Sequence, residues 1–220
     1  MTAPLVLDRP AEETEDSAKR RQIIEGARTV FRALGFDAAS MGEIAKAAGV
    51  SKGTLYVYFK DKDELFKAII QKECPLQAEG VFDLDGQRVF ELDPADPDVA
   101  GTLTRLGIAF MKALCEPERQ STLRTVWAIA DRKPDIGRTF YETGPARGLA
   151  NLRAYLEAQA AAGRLAPADY EVAAAQFIES CHATMLKPMM LNFAPPPSPE
   201  RIEYVVGIAV KTFMAAYGKK

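Results

Sequence analysis

The chain has 220 residues with 48% hydrophobic and 26% charged side chains, an ordinary balance for a globular protein that buries one large core or two modest ones. No run approaches the roughly 18 apolar residues of a membrane span, and the first residues lack a basic segment followed by an apolar one, so no membrane partner and a cytoplasmic location are expected. Three scattered cysteines and a single histidine argue against a disulfide framework and a structural zinc site, and no cofactor is expected.

The net charge of −2 conceals an asymmetry. Residues 1–16 carry five acids and one arginine, whereas residues 17–72 carry eleven Lys/Arg against six acids. A basic segment on an otherwise acidic chain suggests a face for a polyanion.

Residues 1–16, rich in acids and without apolar periodicity, are expected to form a disordered arm. From Ser17, the residues Ile23, Ile24, Ala27, Val30, Phe31 and Leu34 fall on one helical stripe that Gly35 should end. Ser40 with Glu43 three residues on is a capping-box pattern for a short second helix, closed by Gly49. Ser51 can cap a third helix running through Phe59, and Asp61 a fourth that stops before Pro75. Residues 75–97, with three prolines and many acids, mark a boundary or long connection. Helical patterns follow at about 98–116, 118–131, 135–143, 146–163, 168–187 and 199–217, punctuated by Pro and Gly. No alternating segment rich in β-branched residues is present, so the predicted fold class is all-α.

Two short helices joined by Gly49-Val50-Ser51 make a helix-turn-helix. Gly49 supplies the positive φ of the tight turn, while Val50 and Leu55 are expected to bury. The other face of the third helix then holds Ser51, Lys52, Gly53, Thr54, Tyr56 and Tyr58: hydroxyls and a cation suited to phosphates and base edges. Lys62 starts the fourth helix beside that face. Arg20 and Arg21 either pin the N-terminal arm to a nucleic-acid backbone or minor groove or lie at a solvated helix start.

The stretches IIEGARTVFRALGFDAASM and EIAKAAGVSKGTLYVYFKDKDELF resemble the DNA-binding domain of the TetR/AcrR transcriptional regulators. The later segment LRTVWAIADRKPDIGRTFYETGPARGLANLRAYLEAQAAAGRL is similar to an AcrR-type ligand-binding domain. The resemblance implies a DNA-binding domain over 17–61, and a ligand-binding and dimerisation domain over 62–220. It implies a homodimeric regulator, most simply a repressor, that binds double-stranded operator DNA and is released by a small-molecule effector. Carried over position by position, phosphate contact falls on Ser40, Tyr56, Tyr58 and Lys62, and base or groove contact on Ser51, Lys52, Gly53 and Thr54. Two positions depart from the family pattern: Gly42 stands where some members carry arginine, and Tyr58 where many carry histidine.

The last helix is apolar nearly all round, so it is either the central core helix of one protomer or, the better explanation at the end of the chain, part of a dimer bundle shared with the helix holding Phe177; Phe177, Ile178, Ile202, Val206, Val210 and Phe213 are the expected interface. Phe110, Met111, Trp127, Phe140, Tyr141, Phe177, His182 and Met185 supply the aromatic and soft side chains of a candidate effector pocket. With no Gly-rich phosphate loop and no GxSxG, nothing nominates a catalytic site. An effector-independent DNA-binding dimer is the alternative.

Overall fold

The computed structural model describes residues 15–73 and 92–219, so the expectations for residues 1–14 and for most of the 75–97 connection lie outside the described residues. Eleven helices appear among the described residues, with no strand. They form two compact units that divide between Phe66 and Lys67.

The first unit holds α1 (Glu15–Ala38), α2 (Met41–Ala47), α3 (Lys52–Tyr58) and the start of α4 (Lys62–Glu73). Helix α1 includes Glu15 and Asp16, the last two residues of the expected arm. The α-helical run ends at Gly35, with φ 76° and ψ 169°, and one irregular turn follows to Ala38. This break corrects one expected core position. Leu34, at the end of the predicted stripe, is 46% exposed, and Phe36 takes its place in the core. The rings of Phe31, Phe36 and Phe66 meet with centroids 5.3–5.5 Å apart. Ile23, Ile24, Ala27, Ile44, Leu55 and Leu65 complete the filling.

The second unit takes in the end of α4 and then α5 (Val99–Leu114), α6 (Pro117–Ile129), α7 (Pro134–Thr143), α8 (Pro145–Ala161), α9 (Tyr170–Cys181), α10 (Leu186–Met190) and α11 (Pro199–Tyr217). Its core centres on α5, α8, α9 and α11, with Leu103, Met111, Leu152, Leu156, Phe177 and Val206 buried together. Gly107 makes the α5–α11 approach possible, since a Cβ there would lie 2.7 Å from Val206 and 2.9 Å from Cys181 Sγ. The chain after α8 pairs with the chain after α11 through Ala166 N–H to Tyr217 O and Lys219 N–H to Arg164 O.

The helix expected over 168–187 is two helices. It stops at Cys181, Thr184 adopts φ 64°, and α10 starts afresh. Pro188 explains the break, because in a continuous helix its ring would collide with the carbonyl of Thr184.

Candidate nucleic-acid interface

Each short helix of the first unit starts on a side-chain cap. Ser40 Oγ accepts from Glu43 N–H while Glu43 accepts from the Ser40 backbone, a complete capping box. The Ser40 hydroxyl, donating to Glu43 Oε2 at 2.7 Å, and then the Ser40 backbone N–H hold the Glu43 carboxyl below the usual range. The stabilisation from the Glu43 carboxylate is therefore full above the ordinary Glu pKa and is lost as pH falls through that lowered value, while the Ser40 Oγ bond to Glu43 N–H does not titrate. Ser51 Oγ accepts from Thr54 N–H at 3.0 Å, and its hydroxyl lies 2.8 Å from that of Thr54. Asp61 accepts from Glu64 N–H at 2.9 Å at the head of α4.

The turn between α2 and α3 is a Schellman motif: Gly49 N–H donates to Lys46 O, and Val50 N–H to Ala45 O. Gly49 has φ 64°, a value a Cβ would disfavour. Gln22 Nε2 on α1 donates to Ala48 O and ties the turn to the first helix. Gly26 permits that closeness, since a Cβ there would lie 2.6 Å from Ala48 N.

Leu55 and Phe59 anchor one side of α3, at 0% and 2% exposure. Val50, expected to bury, is only partly covered. Ser51, Lys52, Gly53 and Tyr56 are exposed on the open side, and Thr54 and Tyr58 are partly so. Val57 joins that open face at 82% exposure, and sequence reasoning missed it. Its signal was the i+4 spacing from Gly53, and a lone apolar residue on such a face matches the thymine methyl. Lys52 lies along Gly42, its Nζ 3.2 Å from where a Cβ at 42 would stand.

Two expected phosphate contacts have partners inside the protein. Tyr58 Oη donates to Asp16 Oδ1 at 2.8 Å, and this bond pushes the phenol pKa up, so the hydroxyl remains a donor across the neutral range. Lys62 Nζ donates to Phe36 O, Asp37 O and Ala39 O at 2.8, 2.9 and 3.3 Å. Arg20 stacks over the Phe59 ring at 5.1 Å from its centroid.

The eight candidate pocket residues do not converge. Met111, Phe177 and Met185 belong to the main core, with Phe110 packed against it and 6.2 Å from the His182 ring. Phe140 sits instead on a small cluster with Leu123, Met189 and Met190. Trp127 and Tyr141 are 55% and 56% exposed. His182 caps the end of α9, with Nε2 3.4 Å from Glu179 Oε2. A cleft of about 360 Å³ lies elsewhere, between Gln120 and Arg124 on α6 and the 192–196 loop. Burial pushes the Cys181 thiol up to about 12 and raises that of Cys115, so neither is poised as a thiolate.

The expected dimer residues need a further correction. Phe177, Ile202, Val206, Val210 and Phe213 are at most 7% exposed within one protomer, where they fill the core between α5, α9 and α11; Ile178 is packed at its edge. The large apolar side chains left open on α11 are Tyr204 and Ile208, four residues apart, with Val172 open on α9.

A capped helix presented on a Schellman turn, anchored by two buried side chains and open on a polar face, defines a helix-turn-helix DNA-binding protein. The chain belongs to the TetR family of transcriptional regulators. Residues 23–69 match the profile for bacterial regulatory proteins of the tetR family, and residues 101–219 match that of the AefR-like transcriptional repressor C-terminal domain. A TetR-family regulator from Mesorhizobium loti superposes with a TM-score of 0.81 at 29% identity, covering 94% of this chain and 100% of that one. The flavonoid-responsive regulator FrrA superposes with a TM-score of 0.73, also at 29% identity, over 92% of this chain and 98% of its own. AcrR of Shigella flexneri is 40% identical over 86 residues, 38% of this chain and 39% of AcrR. The chain thus spans well under half of AcrR's length, and 33% of that of the repressor Rv1474c of Mycobacterium tuberculosis. Among the described residues no helix is long and apolar enough to cross a membrane.

Proposed function

We propose that the chain is a ligand-responsive repressor that binds a near-palindromic operator as a homodimer. The observation that carries this is the open face of α3, where Ser51, Lys52, Gly53, Thr54, Tyr56 and Val57 stand clear of the core that Leu55 and Phe59 anchor. Such a face fits a major groove, with phosphates met by hydroxyls and lysine, and base edges by the first turn. The open Tyr204–Ile208 strip on α11 supports pairing of two copies. Two-fold pairing would present the two α3 helices to half-sites about one helical turn apart, roughly 34–36 Å.

An effector that prefers the DNA-incompetent arrangement lowers affinity by its differential binding alone, about 5- to 150-fold for ordinary coupling. The name of FrrA, a relative of the same shape, supports a small-molecule effector. Helix α4 begins in the first unit and ends in the second, so it is the covalent route for that coupling. A reporter behind a fragment that the purified protein retains tests this. Expression of the chain should silence it, and Thr54→Ala should restore transcription. Silencing that survives Thr54→Ala, or no silencing at all, would overturn the assignment.

Two further outcomes follow from the site. Asp16→Ala frees the Tyr58 hydroxyl and removes a carboxylate beside it, so operator affinity should rise by about 2- to 5-fold in anisotropy titrations. The rise should shrink in a Tyr58→Phe background, and an equal rise there would show that the hydroxyl plays no part. A Cβ at Gly53 meets only Ser51 Oγ, at 3.7 Å. Gly53→Ala should therefore raise the melting temperature, by up to about 1 kcal/mol of stability, yet weaken operator binding by crowding the groove.

A further inference from the structure

We propose that Lys62 is a positioning residue that locks the α1–α2 connection and so sets the register of the helix-turn-helix; this rests on the DNA-binding role proposed above. A lysine ammonium has three N–H donors, and all three are committed here, to Phe36 O, Asp37 O and Ala39 O. The same nitrogen lies 4.8 Å from the centroid of the Phe36 ring. No donor remains for a phosphate while this arrangement holds.

The geometry explains why a cation is needed at this point. Gly35 turns the chain out of α1, and the carbonyls of Phe36, Asp37 and Ala39 beyond it converge on one spot. Their gathered partial negative charges call for a cation. Lys62, from the head of α4, supplies that charge from 23 to 26 residues away. Ala39, the last carbonyl gripped, directly precedes Ser40, the cap that starts α2. Fixing Ala39 fixes where α2 begins, and the Schellman turn transmits that placement to α3. The Phe36 ring, wedged between Phe31 and Phe66, makes the grip rigid.

The test compares Lys62→Met and Lys62→Arg with the parent protein, at a temperature where each is folded. The probes are a duplex selected by the parent protein from a randomised pool and a scrambled duplex of equal length. Lys62→Met should lose about 10-fold on the selected duplex and little on the scrambled one. Its slope of log K against log salt should stay that of the parent, and its melting temperature should fall. Lys62→Arg keeps the charge, but its planar fork cannot gather three carbonyls round one nitrogen, so it too should lose preference for the selected duplex. Should Lys62→Met fail to fold, the Arg variant decides the matter by the same readouts. A phosphate ligand would give the opposite pattern: a slope shallower by about 1.8 for a dimer that loses one contact per protomer, equal loss on both duplexes, and an Arg variant like the parent. That pattern would overturn the proposal. If the parent prefers neither duplex, the DNA-binding role fails by itself, and melting then judges the lock: a drop in both variants sustains it and no drop overturns it.

Discussion

Gly26→Ala should unfold the first unit at a lower temperature and abolish operator binding. On propensity alone the change would favour helix α1, by about 1 kcal/mol. Against that, the new methyl would stand 2.6 Å from the nitrogen and Cβ of Ala48 and 2.7 Å from its Cα. Backbone cannot step aside as a flexible side chain does, so α2 must move off α1. The Gln22–Ala48 hydrogen bond is lost with it. Overpacking of this kind costs about 1–3 kcal/mol before the lost bond is counted, so the clash outweighs the propensity gain. Circular dichroism melts, paired with a binding titration, check the outcome. An alanine variant as stable as the parent would mean that α1 and α2 have room to separate.

Ile208→Glu should convert the protein to a well-folded monomer and cost about 10²- to 10⁴-fold in operator affinity, the gain that two linked binding helices draw from effective concentration and that a monomer forgoes. Ile208 is 49% exposed and shares its strip with Tyr204, so a carboxylate there burdens no core within the protomer. In a two-fold interface the substitution appears twice and faces its own copy. Val206→Glu is the informative contrast. Val206 is 0% exposed and touches the Gly107 crossing, so a charge there should collapse the second unit. Sedimentation velocity separates the two variants: a compact monomer for Ile208→Glu, and unfolded or aggregated chain for Val206→Glu. A folded dimer of the Ile208→Glu variant would place the pairing surface elsewhere.

These contrasts show which features of the chain were legible before its coordinates. The caps at Ser40, Ser51 and Asp61 could be read because each side chain serves the first turn of its own helix, three residues on. Gly49 was legible for the same reason, since the turn it closes is local. Gly26 and Lys62 carry comparable weight but act on Ala48 and on residues 36–39, more than 20 positions away, and no periodicity encodes such partners. Helix α11 failed in another way. Both of its faces are apolar, and pattern alone cannot say which one α5 and α9 cover. The break after Cys181 had a visible cause in Pro188, but the apolar periodicity through Met185 and Leu186 masked it. The pocket residues scattered because aromatic and methionine side chains at helical spacing fill cores as readily as they line cavities.

The central claim is that two copies of α3 read one two-fold DNA site. Sequencing the duplexes that the purified protein retains from a randomised pool tests it most directly. The expected result is an inverted repeat whose half-sites lie about one helical turn apart. Retention that varies with salt but enriches no shared motif, or enriches a single unrepeated half-site, would contradict it.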